Sequence, residues 1–110
     1  PDLKEDQMMP KTLSFGNLDY DVARNELWEG KNQIRLTTTE SQLMKIFTSV
    51  LGEPISRTDL VASLGRDVSS AQDRAIDVQI TRLRRKIEVN PSQPRYLQTV
   101  RGAGYMLLFD

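Results

Sequence analysis

The stretch that decides the fold of this 110-residue chain runs from residue 73 to residue 105 and reads DRAIDVQITRLRRKIEVNPSQPRYLQTVRGAGY. Its first half repeats apolar residues at helical spacing, and these are Ile76, Ile80, Leu83 and Ile87. Because an α-helix turns by about 100° per residue, the repeat predicts a helix over about 71–89 with one narrow buried stripe. Asn90 and Pro91 then break the helix, since proline has no amide proton to donate.

The side of this helix opposite the apolar stripe is basic. It carries Arg74, Val78, Thr81, Arg82 and Arg85, with Arg84 and Lys86 on the flanks. Two acids, Asp73 and Asp77, lie near the start of the helix, where a negative charge suits the helix dipole. Arginine is also an ordinary helix former on solvated faces, so the helix alone does not decide between a plain surface and a binding surface.

The residues after the helix predict a β-hairpin. Strands are expected over 96–101 and 105–109, joined through 102–104, where two glycines allow positive φ. On the first strand Thr99 and Arg101 share one face, whereas Val100 can turn toward the core. A basic helix fits the major groove of duplex DNA, and an arginine at a hairpin tip can reach the adjacent minor groove. The stretch therefore favours DNA binding.

Composition narrows the possible classes of function. Fifteen basic and fifteen acidic residues cancel, so the net charge by itself does not indicate a nucleic-acid partner. The chain has no cysteine and no histidine, which excludes a zinc finger, a histidine general base and a cysteine nucleophile. No nucleophile–base pair and no phosphate-binding glycine loop can be assembled from the rest. The sequence therefore predicts no enzyme, no metal site and no cofactor.

Two further patterns bear on location and domain organisation. No apolar run approaches the ~20 residues that span a bilayer, and the lack of cysteine suits a reducing compartment. A cytoplasmic protein without a membrane segment is expected. Residues 1–12 have mixed charge, two prolines and no periodicity, so they are interpreted as a linker or tail end. Residues 13–110 are interpreted as a single domain.

The first part of that domain predicts a sheet followed by three helices. Four short, partly alternating runs begin at Leu13, Leu18, Glu26 and Gln33, and turn residues separate them, as in an antiparallel meander. Thr37 and Glu40 form a capping box that opens the first helix, and Ser56 with Asp59 opens a shorter second one. Ser70, or Ser69 paired with Gln72, caps the third. The connector over 65–72 is longer than a tight turn needs. The fold class is α+β.

Several of these segments together resemble the winged-helix effector domain of the OmpR/PhoB family of bacterial response regulators. The resemblance covers about 13–109. The matching segments are Leu36-Thr37 with Glu40, Gly52-Glu-Pro-Ile-Ser-Arg57 with Asp59-Leu60, Asp73-Arg74-Ala-Ile-Asp77-Val78, Arg82-Leu-Arg84-Arg85-Lys86-Ile87 and Thr99-Val-Arg-Gly-Ala-Gly-Tyr105. The helix and the Thr-Val-Arg-Gly-x-Gly-Tyr segment at this separation are the most specific part.

The resemblance implies a function and a set of contacts. The third helix would be the recognition helix of a two-component transcriptional regulator, in the major groove, and the wing over 99–105 would lie at the minor groove. The expected DNA-binding residues are Arg74, Val78, Gln79, Thr81, Arg82, Arg84, Arg85, Thr99, Arg101 and Tyr105. Of these, Arg82 and Val78 are expected at base edges. The residues expected mainly at phosphates are Arg74, Thr81, Arg84, Arg85 and Thr99. Gln79 stands where many members carry histidine.

The resemblance also implies partners. The connector over 65–72 corresponds to the loop that touches RNA polymerase in some members, although this chain lacks the tryptophan common there. Members usually carry an upstream receiver domain; twelve residues cannot hold one, so its phosphoacceptor is expected to be absent from this chain. A monomer without DNA, pairing head-to-tail on direct repeats, is expected.

Two alternatives stay open beside this interpretation. One is the DNA-binding part of a one-component membrane regulator, which the lack of room for a span after Met106 disfavours. The other is a winged-helix module that binds only proteins, which the neutral net charge favours. A salt-dependent gel shift distinguishes the protein-binding module from a DNA-binding domain.

Overall fold

The chain folds into a four-stranded sheet, three helices and a C-terminal hairpin, which confirms the predicted α+β winged-helix class. The computed structural model describes residues 12–66 and 70–110. The strands are β1 (Thr12–Phe15), β2 (Leu18–Asp21), β3 (Glu26–Glu29), β4 (Asn32–Ile34), β5 (Leu97–Val100) and β6 (Gly104–Leu107). The helices are α1 (Thr38–Ser49), α2 (Arg57–Ser63) and α3 (Ser70–Ile87).

The N-terminal sheet is the antiparallel meander that the turn residues predicted. Its strands follow chain order, β1-β2-β3-β4, and alternate residues of β1, β2 and β3 face inward; these are Leu13, Phe15, Leu18, Tyr20 and Leu27. The predicted boundaries shift slightly. Strand β1 begins at Thr12, one residue inside the expected tail, and β4 begins at Asn32, one residue before the expected Gln33. The rest of the tail, 1–11, lies outside the described residues.

The predicted start signals of the first two helices are confirmed. At α1 the Thr37 hydroxyl accepts from the Glu40 backbone N–H at 3.1 Å, and the Glu40 carboxylate accepts from the Thr37 N–H at 2.8 Å. At α2 the Ser56 hydroxyl accepts from the Asp59 N–H at 3.0 Å. For α3 the cap on Ser69 lies outside the described residues, as does 67–69 of the predicted connector. Because α3 begins at Ser70, the connector ends before 70 and not at 72.

Helix α3 packs its apolar stripe into the centre of the molecule, as predicted. Each member of the stripe is at most 1% exposed, and the four are Ile76, Ile80, Leu83 and Ile87. They join Leu43 and Phe47 of α1, Leu60 of α2 and the inner face of the sheet in one core. The helix ends at Ile87, two residues before the predicted 89. The residue that follows, Glu88, is buried.

The hairpin β5–β6 is joined by a third backbone segment from the α1–α2 link. The Ile55 N–H donates to the Tyr105 carbonyl at 2.8 Å, and the Tyr105 N–H donates back to Ile55 at 3.0 Å. This close approach requires glycine at position 104. Gly104 has φ +132°, and a Cβ there would lie 2.0 Å from the Ile55 carbonyl oxygen. The base of the wing is therefore fixed to the body of the domain.

Candidate nucleic-acid interface

The basic face predicted for α3 is solvent-exposed. All five residues of the face are exposed, and they are Arg74, Val78, Thr81, Arg82 and Arg85. Val78 has 49% of its surface exposed, which is unusual for an aliphatic residue and leaves a methyl surface among the cations. The side chains of Arg74, Arg82 and Arg85 make no hydrogen bond or ion pair with the described residues. Gln79 is half-buried beside this face.

Asp77, one of the two acids in the first half of α3, is held by side chains of α2 and of the hairpin. Asp77 accepts from Arg57 of α2 at 2.8 Å, and both side chains are partly exposed. It also accepts from the Tyr105 hydroxyl at 2.6 Å. Asp73 lies in the first turn of α3, where the helix dipole stabilises a carboxylate. The exposed face of α3 therefore carries three arginines, the hydroxyl residue Thr81 and one aliphatic residue, Val78.

The wing places Arg101 at its tip. Strand β5 ends at Val100, so Arg101 is the first turn residue and not the last strand residue that the pattern predicted. Its side chain is exposed, and the turn closes through the Ala103 N–H and the Val100 carbonyl at 2.9 Å. Thr99 is also exposed, on β5. An open groove of about 530 Å³ separates the wing from the start of α2 and the first half of α3.

Three of the ten predicted contact residues are bonded between α3 and the wing, and they are Arg84, Thr99 and Tyr105. A fourth, Thr81, is exposed, but its hydroxyl donates to the Asp77 carbonyl at 3.0 Å. Tyr105 is only 9% exposed. Burial first, and then its hydrogen bond to Asp77, raise the pKa of Tyr105 to about 12. Arg84 donates to the Leu97 carbonyl at 2.8 Å and to the Thr99 hydroxyl at 2.9 Å. The structure thus divides the predicted residues into an exposed set on α3 and the wing tip, and a bonded set between them.

The sequence interpretation missed the long-range partners of two buried acids, Glu88 and Glu40. Glu88, directly after α3, is 8% exposed, and its carboxylate accepts from the backbone N–H groups of Arg95, Tyr96 and Leu97 at 2.7–3.2 Å. Glu40 is 2% exposed and accepts from Lys86 at 2.5 Å. A signal for Glu88 was present, since an acid at a helix C-terminus opposes the dipole and needs another partner.

Comparison with known proteins identifies the class. The family model described as "Transcriptional regulatory protein, C terminal" matches residues 30–107. PetR of Rhodobacter capsulatus is 59% identical over 106 residues, covering 92% of this chain and 45% of PetR. The probable transcriptional regulator ycf27 of Galdieria sulphuraria is 38% identical over 96 residues, covering 86% of this chain and 38% of ycf27. The chain spans less than half the length of these two relatives.

Solved structures agree with this class. The DNA-binding domain of Klebsiella pneumoniae RstA, solved in complex with the RstA box, superposes with a TM-score of 0.74 at 30% identity, covering 90% of this chain and 98% of that one. Thermotoga maritima DrrB, a response regulator and OmpR/PhoB homologue, superposes with a TM-score of 0.77 at 27% identity. The match covers 94% of this chain and 47% of DrrB.

The fold and the exposed helix face define a winged-helix domain. The chain belongs to the family of C-terminal domains of transcriptional regulatory proteins, of the OmpR/PhoB type, as its motifs indicated. Of the proteins named above, ycf27 is described as a probable transcriptional regulator and DrrB as a response regulator. Within residues 12–66 and 70–110, no helix is long and apolar enough to cross a membrane.

Proposed function

We propose that this domain binds duplex DNA sequence-specifically as the effector domain of a two-component transcriptional regulator. The observation that carries the proposal is the exposed face of α3, where Arg74, Arg82 and Arg85 have no partner among the described residues. Long cations left free beside a protruding hairpin are suited to phosphates and base edges. The relationship to RstA, whose DNA-binding domain was solved on its box, supports the same conclusion.

Within the major groove, Arg82 and Val78 are the proposed base-reading residues. A guanidinium can donate two hydrogen bonds to guanine, and an exposed valine can contact a thymine methyl group. Arg74, Thr81 and Arg85 hold phosphates and fix the register. The half-buried Gln79 lies at the edge of this contact surface, so we expect it to contact the sugar–phosphate backbone of the DNA and not the bases.

The wing tip is proposed to enter the minor groove through Arg101. A narrow A·T-rich minor groove has the strongest negative potential, so the contribution of Arg101 should depend on the flanking sequence. Comparing A·T-rich and G·C-rich flanks in wild type and Arg101→Ala tests this. If both proteins show the same flank preference, the wing tip does not enter the groove.

The decisive experiment for the function is selection of bound duplexes from a random library, followed by a salt titration on the selected site. Five or six phosphate contacts imply a log–log slope of about −5. A domain that selects no sequence, or whose affinity is indifferent to salt, would instead be a protein-binding module.

Assembly and partners are proposed from the family alone. A monomer that pairs head-to-tail on direct repeats needs a centre-to-centre spacing of about 10–11 base pairs, so that both recognition helices meet one side of the duplex. Sedimentation of the free protein and footprinting on direct and inverted repeats test this. A contact with RNA polymerase through 65–72 and an upstream receiver domain stay predictions, and 67–69 lie outside the described residues.

A further inference from the structure

The side chain of Arg84 points in a different direction from those of the neighbouring arginines on α3. Arg82 and Arg85 are exposed, whereas Arg84 is half-buried and turned toward the hairpin. Its Nε donates to the Leu97 carbonyl at 2.8 Å, and its Nη2 donates to the Thr99 hydroxyl at 2.9 Å. These two acceptors lie two residues apart on β5, so the planar fork of the guanidinium spans the strand.

The same guanidinium contacts the second strand of the wing. Its Cζ lies 5.6 Å from the centre of the Tyr105 ring, within the range of a cation–π interaction. Tyr105 faces Thr99 across the hairpin. One side chain of α3 therefore contacts both wing strands at the same level.

A second set of hydrogen bonds joins α3 to the wing at Asp77, two helical turns before Arg84. The Tyr105 hydroxyl donates to Asp77 Oδ1 at 2.6 Å, and Arg57 of α2 donates to Asp77 Oδ2 at 2.8 Å. Residues 77 and 84 are seven positions apart, or about 10 Å along a helix. Because the two attachments are separated, the hairpin cannot pivot about either one.

We propose that Arg84 is a positioning residue that fixes the wing relative to α3 before DNA arrives. The inference rests on the proposed DNA binding and revises one part of it, since Arg84 was expected at a phosphate. Holding Arg101 in place in the free protein removes an ordering cost on binding.

The first test uses the free protein. Arg84→Lys keeps the charge but loses the planar fork, and lysine does not replace arginine at a forked or stacked position. We expect amide hydrogen exchange at Ala103, in the wing turn, to be at least about tenfold faster in Arg84→Lys, equivalent to about 1.4 kcal/mol of local opening. Arg85→Lys, on the exposed face, is the control and should exchange like wild type. Equal exchange in all three proteins would overturn the proposal.

The second test uses DNA with A·T-rich and G·C-rich flanks. A positioning role predicts that Arg84→Lys and Arg84→Gln both lose the flank preference, and that neither weakens binding further in an Arg101→Ala background. A phosphate contact predicts the opposite: Arg84→Lys binds like wild type, and Arg84→Gln lowers the salt slope by about one while keeping the flank preference. That second pattern would refute the positioning role.

A further variant guards against misfolding of the Arg84 variants. Thr99→Val removes only the hydroxyl acceptor from an exposed position, and it should give part of the increase in Ala103 exchange. If wild type bound no duplex at all, the proposed function would fail, while the exchange experiment would still decide whether Arg84 holds the wing.

Discussion

At the scale of single residues, the four arginines of α3 differ in the direction in which their side chains point. Arg74, Arg82 and Arg85 project into solvent, whereas Arg84 lies against the wing. Their helical phase explains the difference, because Arg84 lies only about 40–60° around the helix from the buried Ile80 and Ile87, on the flank that faces the hairpin. Residues of one kind therefore take different roles according to the neighbour that each meets.

Arg82 and Arg85 should fail in different ways when each is replaced by alanine. Loss of a base-reading arginine should cost roughly 1–3 kcal/mol at one base position and relax specificity there, whereas loss of a phosphate contact should weaken all sequences alike and lower the salt slope by about one. Binding to a panel of single-base operator variants at several salt concentrations measures both. A uniform loss in both variants would show that the assignment of roles is wrong even if DNA binding stands.

Gly104→Ala should destabilise the domain by several times more than Gly102→Ala. Both glycines have positive φ, which costs a non-glycine residue about 1–2 kcal/mol. Only Gly104 also lacks space, since its Cβ would meet the Ile55 carbonyl, whereas a Cβ at Gly102 has no atom within 4 Å. Urea unfolding of the two variants makes the comparison. Equal losses of stability in the two variants would mean that the segment at Ile55 separates readily from the wing.

At the scale of elements, the buried carboxylate of Glu88 decides where α3 stops and β5 begins. The Glu88 backbone N–H still donates to the Arg84 carbonyl at 2.8 Å, as in a helix. Its side chain, however, gathers the N–H groups of three successive residues that lead into β5. A charged acceptor for otherwise unpaired buried donors is worth more than an ordinary hydrogen bond. Glu88 therefore helps to fix the position of β5 relative to the end of α3.

Glu88→Gln should therefore lower the free energy of unfolding of the domain and also make the attachment of the wing less rigid. The amide keeps one oxygen but turns an NH₂ group toward backbone donors, so we expect a loss of about 1–3 kcal/mol. Urea unfolding gives the stability, and amide exchange at Leu97 shows whether the loss is local. The matched control is Glu53→Gln, at an exposed position, which should be close to neutral. Similar behaviour of the two variants would show that Glu88 does not hold the segment.

At the scale of the whole molecule, polar side chains join the N-terminal sheet to the helical and wing part. The Asp110 carboxylate accepts from the Gly16 N–H at 2.8 Å and from the Tyr96 hydroxyl. The first of these hydrogen bonds contributes most to holding the pKa of Asp110 below its ordinary value. Lys86 of α3 reaches Glu40 and the Arg35 carbonyl at the start of α1. These contacts hold the sheet and α3 together as one unit.

The three tyrosines should give the domain a steep alkaline limit of stability. Burial, with Asp21 second, raises the pKa of Tyr20 to about 12. The pKa of Tyr105 is likewise about 12, and burial also raises that of Tyr96. Because the folded values lie above the unfolded value of about 10, stability is complete below pH 10 and falls as pH rises toward 12.

Urea unfolding at several pH values between 9 and about 12.5 measures this decline. Tyr105→Phe lacks one of the three shifted groups, so its stability should fall less steeply over the same interval. Parallel slopes for wild type and variant would contradict the assigned environment of Tyr105.

The elements of this protein could largely be predicted because each carries a local signal. The capping box at Thr37, the apolar stripe of α3 and the glycines of the wing each act within a few residues, so they can be recognised without knowing the fold. The boundaries were less certain: α3 stops at Ile87 because Glu88 is held by residues that follow in β5. A contact between separate segments cannot be seen from helical spacing.

The sequence by itself determined the class of fold, the family and the exposed basic face of α3, since these depend on periodicity and on short motifs. Only the tertiary structure decided which of the predicted residues are free. Arg84, Thr99 and Tyr105 lie in the family motifs, yet they bond to one another and to Asp77 across α3 and the hairpin. The reason is physical: periodicity fixes the direction of a side chain from its own element, whereas the partner that it meets depends on how the elements pack.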